Sequence, residues 1–193
     1  NRLLRSKVRP AAEELRPLED FLMHTIFRLC GEYDLTVKVH TGIQEGIGNI
    51  LSNSRALLMN EVFLKYPKTR FDIFHISYPF QEELTVLAKN LPNVFIDFCW
   101  VWIINAAAGR RALSDMLDAV PASKIHGFGG DFIPVEGSYG HAVMARREIA
   151  RVLAEKVEEG RFTEEYAAQV GRMLLRENPI ENFRLRTRRK IKE

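Results

Sequence analysis

The chain has 193 residues, of which 46% are hydrophobic, so it can bury one core and a single domain is the default expectation. Its 28 Lys and Arg residues against 25 Asp and Glu residues give a formal net charge of +3, which is too small to indicate a nucleic-acid partner. The most apolar stretch, residues 94–108, is too short and too polar to span a bilayer, and residues 1–9 lack the pattern of a signal peptide. We therefore expect a cytoplasmic protein with neither a nucleic-acid nor a membrane partner.

Neither the cysteines nor the basic C-terminus indicates a site. Cys30 and Cys99 lack the spacing of a disulfide framework or of a thiolate metal site, so both are expected to be buried thiols in a reducing compartment. The basic residues crowded into 184–193 are expected to form a solvated tail.

Four hydrophobic segments of strand length alternate with amphipathic segments along the chain. Strands are predicted at residues 36–40, 70–75, 93–99 and 124–131. Helices are predicted at residues 17–31, 53–66, 79–91, 110–120 and 139–159, and a last helix runs from 163 until Asn178 and Pro179 stop it. Because a helix separates each strand from the next, the sheet is expected to be parallel.

The number of these units leaves two α/β architectures open. An eight-stranded barrel of alternating strands and helices needs about 250 residues, and the predicted units account for about half of it. An open doubly wound sheet can stand on four or five parallel strands. Length alone does not decide between them.

Three of the predicted strands end in a residue of a metal-binding type, namely His40, His75 and Asp131. In parallel sheets of either architecture, functional residues gather at the carboxyl ends of the strands. Two imidazoles and a carboxylate suit zinc, manganese or iron, and such a metal can lower the pKa of a water molecule so that a nearby aspartate acts as base. Each residue alone could merely cap or form a turn, but the three together favour a shared site.

Other side chains near the strand ends have a functional and a structural interpretation. Trp100, Trp102 and Tyr78 could form an aromatic wall against a substrate or pack in the core. His141 follows the last strand and could line the same mouth or cap a helix. His126 opens its strand at the end opposite Asp131, which argues against a catalytic role.

Three segments resemble strands of a known superfamily. The run TVKVHTG at residues 36–42, the FH step at 74–75 and the run GFGGDFIP at 127–134 resemble the fifth, sixth and eighth strands of the amidohydrolase superfamily, in particular its amidohydrolase-2 branch. The ending at residues 174–183 is similar to that branch as well. The resemblance implies that His40 and His75 bind metal or polarise the substrate and that Asp131 shuttles protons and can touch the metal.

A second resemblance points to the uronate isomerases of the same superfamily. Residues 131–148 resemble their eighth-strand segment, and Trp100, Trp102 and Asn105 resemble their tryptophan-rich strand end. Those enzymes usually carry an arginine just after the aspartate, where this chain has Phe132 and Ile133. We therefore rank an isomerase second.

The superfamily's first strand normally ends in a His-x-His pair, and this chain contains none. His24 does not replace it, because His24 lies within the first amphipathic segment. The chain is therefore expected to be one partial domain over residues 1–193, the C-terminal half of a TIM-type (β/α)8 barrel with strands five to eight and a basic tail at 184–193. Its expected partner is the N-terminal half of that barrel, without which it should be inactive.

The resemblance and the residues together predict a metal-dependent hydrolase that acts on a small polar or carboxylated substrate through a metal-activated water. The metal ligands would be His40, His75 and Asp131, with Asp131 and His75 catalytic, and the metal would be zinc, with manganese or iron as alternatives. Substrate would contact Trp100, Trp102, Tyr78 and His141. The alternatives are uronate isomerase-like or decarboxylase activity and a noncatalytic barrel-half module, and self-association is left open.

Overall fold

The computed structural model of the chain describes residues 10–185, in which four strands form one sheet. The strands are β1 (Thr36–Val39), β2 (Arg70–Ile73), β3 (Val94–Cys99) and β4 (Ile125–Gly129). The helices are α1 (Ala12–Glu32), α2 (Asn60–Lys65), α3 (Gln81–Asn90), α4 (Val101–Ala119), α5 (Val135–Glu158), α6 (Glu164–Arg172) and α7 (Asn178–Asn182). Short 3-10 turns cover Leu51–Ser54, Ala56–Met59, Phe74–Ser77 and Ala122–Lys124.

Each strand pairs in parallel with the next strand of the chain, so the order across the sheet is β1, β2, β3, β4. Val39 lies opposite Ile73, which lies opposite Ile96. The order contains no reversal of the kind that defines the switch point of a doubly wound sheet. The parallel α/β sheet is thus confirmed, and the doubly wound alternative does not fit the strand order.

The two faces of the sheet differ in chemistry because successive side chains of a strand point to opposite sides. One face is apolar and fully buried beneath the helices, and its residues include Phe71, Ile73, Val94, Ile96, Phe98 and Ile125. The other face, called the polar face below, carries Lys38, Asp72, Asp97 and His126. Burial of the apolar face supplies most of the driving force for the fold.

Three helices begin earlier than the sequence predicts, and one of them is α5, which begins at Val135 and not at residue 139. Helix α1 begins at Ala12 and contains Pro17, and its first turn is supported by a hydrogen bond from the Ala11 amide to Glu14 Oε2. Helix α4 begins at Val101, directly after β3, because Trp100 takes a left-handed conformation that turns the chain at once. The apolar run of residues 94–108 is therefore a strand followed by the start of a helix.

The prediction that Asn178 and Pro179 end the last helix is wrong. A wider π turn, Met173–Glu177, follows α6 and leads directly into α7, where Pro179 lies in the first turn. A proline is tolerated there because the amide that it lacks has no obligatory partner in a first helical turn. Asn178 is buried and donates from Nδ2 to the carbonyl oxygens of Ala122 at 2.7 Å and Ile125 at 2.8 Å, which fixes the C-terminal segment to the sheet.

Three smaller predictions can be compared with the structure. Cys99 is buried as expected, whereas Cys30 is only partly buried. Residues 186–193 of the predicted basic tail lie outside the described residues, and Arg184 donates to Asp34 Oδ2 at 2.7 Å. Within residues 10–185, no helix has both the length and the apolar character required to cross a membrane.

Candidate active site at the strand ends

Two histidines from neighbouring strands meet at the carboxyl edge of the sheet. His40 directly follows β1, and His75 lies in the 3-10 turn after β2. Their Nε2 atoms are 2.8 Å apart, and their ring centroids are 4.5 Å apart. The structure thus joins two residues that lie 35 positions apart in the chain.

The orientation of the His75 ring is fixed by the backbone of β3. Its Nδ1 lies 2.7 Å from the Cys99 carbonyl oxygen, and because a carbonyl only accepts, Nδ1 carries the proton. Nε2 is then the nitrogen with the free electron pair, as a metal-binding histidine requires. Burial lowers the pKa of His75 and the neighbouring His40 lowers it further, although the Cys99 carbonyl and Asp131 oppose the shift. The ring is therefore held neutral.

A cavity of about 360 Å³ opens over the histidine pair. It is lined by side chains from the segments that follow β1, β2, β3 and β4, namely His40, Ile43, Glu45, His75, Trp100, Asp131, Phe132 and Ile133. Asp131 is close enough for its charge to act on His75. Four of the predicted site residues, His40, His75, Asp131 and Trp100, therefore share one cavity.

The backbone around this cavity is strained. Of the seven non-glycine residues with positive φ among residues 10–185, five follow the ends of β2, β3 and β4: His75, Ile76, Ser77, Trp100 and Asp131. Ile76, with φ of 47°, is the most unusual because its side chain is β-branched. Each such residue costs about 1–3 kcal/mol, and strain of this kind clusters at functional sites.

The three other predicted substrate contacts lie outside the cavity. Trp102 is 1% exposed, stacks on Phe98 and donates from Nε1 to the Gly127 carbonyl oxygen at 2.9 Å, so it belongs to the core between sheet and helices. It is buried there because residues 101 and 102 already belong to α4, whose first turn faces the sheet.

Tyr78 and His141 support the walls of the cavity from behind. The Tyr78 carbonyl oxygen accepts a hydrogen bond from the Ile43 amide at 2.8 Å. His141 is 2% exposed and contacts the edges of Phe128 and Phe132, and neither of its ring nitrogens makes a hydrogen bond of normal geometry. Burial is the main reason why the pKa of His141 is lowered, although the Gly130 backbone opposes the shift.

The histidine pair fits part of a metal site. Two nitrogens bound to one tetrahedral zinc at about 2.0–2.1 Å stand roughly 3.3 Å apart, so a small movement of the rings would accommodate the ion. His40, His75 and Asp131 do not form a close group of three ligand atoms among residues 10–185, so Asp131 is not positioned as a third ligand beside the histidine pair. Imidazole nitrogens suit zinc, manganese or iron.

The close ligand group that residues 10–185 do contain is Asp72, Asp97 and His126, all buried on the polar face, and these residues could bind a metal. A cation already lies among them: Lys38 Nζ is 2.7 Å from Asp72 Oδ2 and 3.2 Å from Asp97 Oδ2. His126 Nδ1 is 2.7 Å from Asp72 Oδ1. A metal in this group would have to displace Lys38.

Protonation also balances the charges on the polar face. Burial raises the pKa of Asp97 well above its ordinary value, and repulsion from Asp72 raises it further. Burial acts in the same direction on Asp72, but hydrogen bonds and charges from His126 and Lys38 outweigh it and lower its pKa. The two shifts favour the neutral form of Asp97 and the ionised form of Asp72 beside the Lys38 ammonium group, and pairing of this kind makes a buried charge tolerable.

Sequence reasoning missed four cavity residues, Ile43, Glu45, Phe132 and Ile133. Each lies one to five positions beyond a predicted ligand, in a loop without periodicity. The glycines at positions 42, 46 and 48 were the available signal, since all three have positive φ and shape the loop after His40.

The fold and site define an α/β protein with imidazole, carboxylate and aromatic groups at the carboxyl edge of a parallel sheet, an arrangement typical of barrel enzymes. The chain belongs to the amidohydrolase family, whose model, Amidohydro_2, matches residues 4–185. A curated relative is Protein fluG of Emericella nidulans, which is 28% identical over 192 residues that cover 92% of this chain and 22% of that protein.

Three solved structures share the fold. A protein from Lactobacillus casei assigned as a metal-dependent hydrolase has a TM-score of 0.72 and 17% identity and covers 89% of this chain. Uronate isomerases from Thermotoga maritima and Bacillus halodurans have TM-scores of 0.71 and 0.69, identities of 16% and 18%, and cover 92% and 83% of this chain. The chain spans 46%, 43% and 41% of these three proteins and 22% of the curated relative.

Proposed function

We propose that the chain forms part of a metal-dependent hydrolase that acts on a small polar substrate. The observation that carries this proposal is the convergence of His40 Nε2 and His75 Nε2, 2.8 Å apart, in a cavity that Asp131 also lines. Membership in the amidohydrolase family supports the same activity. Zinc is the preferred metal because imidazole nitrogen is among its usual ligands, and manganese and iron are the alternatives.

Each residue of this chain has a distinct role in the proposed reaction. His40 and His75 would hold a divalent metal, which when bound would supply Lewis acidity by lowering the pKa of a water and polarising a carbonyl group. Asp131 accepts the proton that the water loses and passes it to the leaving nitrogen or oxygen, so that the elements of water add across the broken bond. Trp100 forms an apolar wall against the substrate.

We further propose that the four strands are the C-terminal half of a (β/α)8 barrel, residues 1–193 being one partial domain. The sequential parallel order supports this, as does the coverage of less than half of each solved relative. Within residues 10–185, β1 and β4 each pair on one side only, so four further strands could join both edges. The N-terminal half would then be the partner that completes the site, and this chain alone would be inactive.

Uronate isomerase-like activity is the second candidate, and it rests on the likeness to two uronate isomerases. Phe132 and Ile133 argue for the lower rank, because they line the cavity where an arginine would recognise a sugar acid. A decarboxylase on the same barrel and a noncatalytic barrel-half module are the remaining alternatives.

Replacement of Asp131 by Asn in the full-length, metal-loaded protein tests the proposal. The substitution keeps the shape but removes the base, so turnover in a screen of small amides and esters should fall by about 10²–10⁴-fold. Asp115→Asn is the matched control, since Asp115 is exposed on α4 and should leave turnover unchanged. Equal turnover of both variants, with both folded, would refute the role of Asp131.

A further inference from the structure

The loop after β1 brings a second carboxylate to the cavity, and the proposed metal chemistry does not use this carboxylate. Glu45 lines the cavity together with His40, His75 and Asp131. It belongs to no close group of ligand atoms among residues 10–185, so it is not placed to bind the same metal as the histidine pair. Within the same part of the chain, Glu45 makes no ion pair or hydrogen bond.

The position of Glu45 is set by anchored backbone at the base of its loop. The Gly42 amide donates to the Ser54 carbonyl oxygen at 2.7 Å, and the Ile43 amide donates to the Tyr78 carbonyl oxygen at 2.8 Å. Gly42 has φ of 68°, and a Cβ there would lie 2.3 Å from the Tyr78 oxygen, so only glycine permits this approach. Thr41, which donates to the Phe74 carbonyl oxygen at 2.9 Å, ties the same base to the turn that carries His75.

Beyond this base, glycines with unusual conformations shape the tip of the loop. Gly46 has φ of 90° and Gly48 has φ of 97°, and an added Cβ would meet nothing within 4 Å at either. The conformation rather than crowding therefore calls for glycine at both positions. The chain turns immediately after Glu45, which leaves this carboxylate on the cavity wall.

The charge and surface of the cavity favour one kind of ligand. Among the residues of 10–185 that line it, Glu45 and Asp131 are acidic and none is lysine or arginine. Trp100 and Phe132, whose ring centroids are 6.1 Å apart, add aromatic surface, and aromatic faces attract cations. A carboxylate placed beside Glu45, away from the proposed metal, would be repelled, whereas a protonated amine in that position would gain a charge-assisted hydrogen bond.

We infer that Glu45 selects substrates that carry a cationic nitrogen, such as a protonated primary amine or an amidine, beside an apolar or aromatic portion. This inference rests on the proposed function, because it names the substrate class of the same site. The sequence led us to expect a polar or carboxylated substrate, and the inference replaces that expectation with a cationic one. Glu45 acts by binding the substrate and takes no part in the proton transfer assigned to Asp131.

Three probes of similar shape and different charge test this assignment: benzylammonium, benzyl alcohol and benzoate. Calorimetric titrations are carried out on the full-length protein in its metal-free and zinc-loaded forms. In the metal-free form, benzylammonium should bind more tightly than the other two probes. Glu45→Gln should weaken benzylammonium about threefold to tenfold and leave benzyl alcohol unchanged. Glu45→Lys should reverse the preference in favour of benzoate.

Glu61→Gln is the matched control because it removes the same charge from the exposed first turn of α2, outside the cavity. It should leave all three affinities unchanged. The inference is overturned if the wild-type protein prefers benzoate in the metal-free form, or if Glu45→Gln and Glu61→Gln affect benzylammonium equally. If Glu45 selects ligands by charge but the protein has no hydrolytic turnover, the proposed function alone is refuted. If turnover depends on Asp131 but Glu45 does not select by charge, this inference alone is refuted.

Discussion

Lys38 Nζ lies 2.7 Å from Asp72 Oδ2 on the polar face of the sheet, and the Asp72 side chain is fully buried. Lys38→Met would leave that carboxylate without its cation, and an unpaired buried charge is strongly destabilising. Because the Lys38 side chain is 44% exposed, we expect a loss of about 2–4 kcal/mol rather than the full cost of breaking a buried pair. Urea unfolding at pH 7 measures it, with Lys65→Met as the surface control. Equal unfolding free energies for the two variants would contradict the account.

The same pair predicts a pH window for this stabilisation. Because folding lowers the pKa of Asp72, its contribution to the unfolding free energy is fully present above pH 3.8, the ordinary pKa of the group. The contribution is lost as the pH falls through the lower folded-state pKa. Because folding raises the pKa of Lys38, its contribution to the unfolding free energy is fully present below pH 10.5, the ordinary pKa of the group. The contribution is lost as the pH rises through the higher folded-state pKa. The difference in unfolding free energy between wild type and Lys38→Met should therefore be largest between about pH 5 and pH 10. If the difference in unfolding free energy between wild type and Lys38→Met stays constant down to pH 2, this pH window is wrong.

Asn178 should be essential for attachment of the C-terminal segment. Asn178→Ala removes both hydrogen bonds to the Ala122 and Ile125 carbonyl groups and leaves these acceptors without that donor. We expect a loss of about 2–4 kcal/mol in unfolding free energy. Asn90→Ala, at the exposed end of α3, is the control and should change stability by less than about 0.5 kcal/mol. A similar small change for both variants would show that the segment is held by other contacts.

Alternation of hydrophobic and amphipathic segments was sufficient to predict the parallel sheet and the placement of His40, His75 and Asp131 at its carboxyl edge. The physical reason is that burial of one sheet face imposes a pattern that extends over the whole segment. Local conformations carry no such pattern. The left-handed backbone of Trp100 starts α4 nine residues before the predicted position, and it moves Trp102 from the expected cavity into the core.

The polar face was not predicted because its partners come from different strands. Lys38, Asp72, Asp97 and His126 come from four different strands, and only the register places them together. His126 does not line the cavity of His40 and His75. Its contact with Asp72, 54 residues away in the chain, requires the folded sheet.

The two tryptophans should respond differently to replacement by alanine. Trp102→Ala removes a fully buried side chain and its hydrogen bond to Gly127, so stability should fall by about 3–5 kcal/mol. Trp100→Ala removes a wall of the cavity, so KM for the proposed hydrolysis should rise about threefold to tenfold. Its unfolding free energy should change by less than about 1.5 kcal/mol. If Trp102→Ala alone raised KM, the placement of these side chains would be wrong.

The most direct measurement is anomalous diffraction from crystals of the full-length protein grown with zinc. We predict one strong peak within bonding distance of both His40 Nε2 and His75 Nε2, which disappears in His40→Gln and persists in His24→Gln. His24 is a suitable control because it lies on α1, where its Nδ1 is 2.9 Å from the Tyr66 hydroxyl oxygen. A peak among Asp72, Asp97 and His126, with none at the histidine pair, would contradict the central claim.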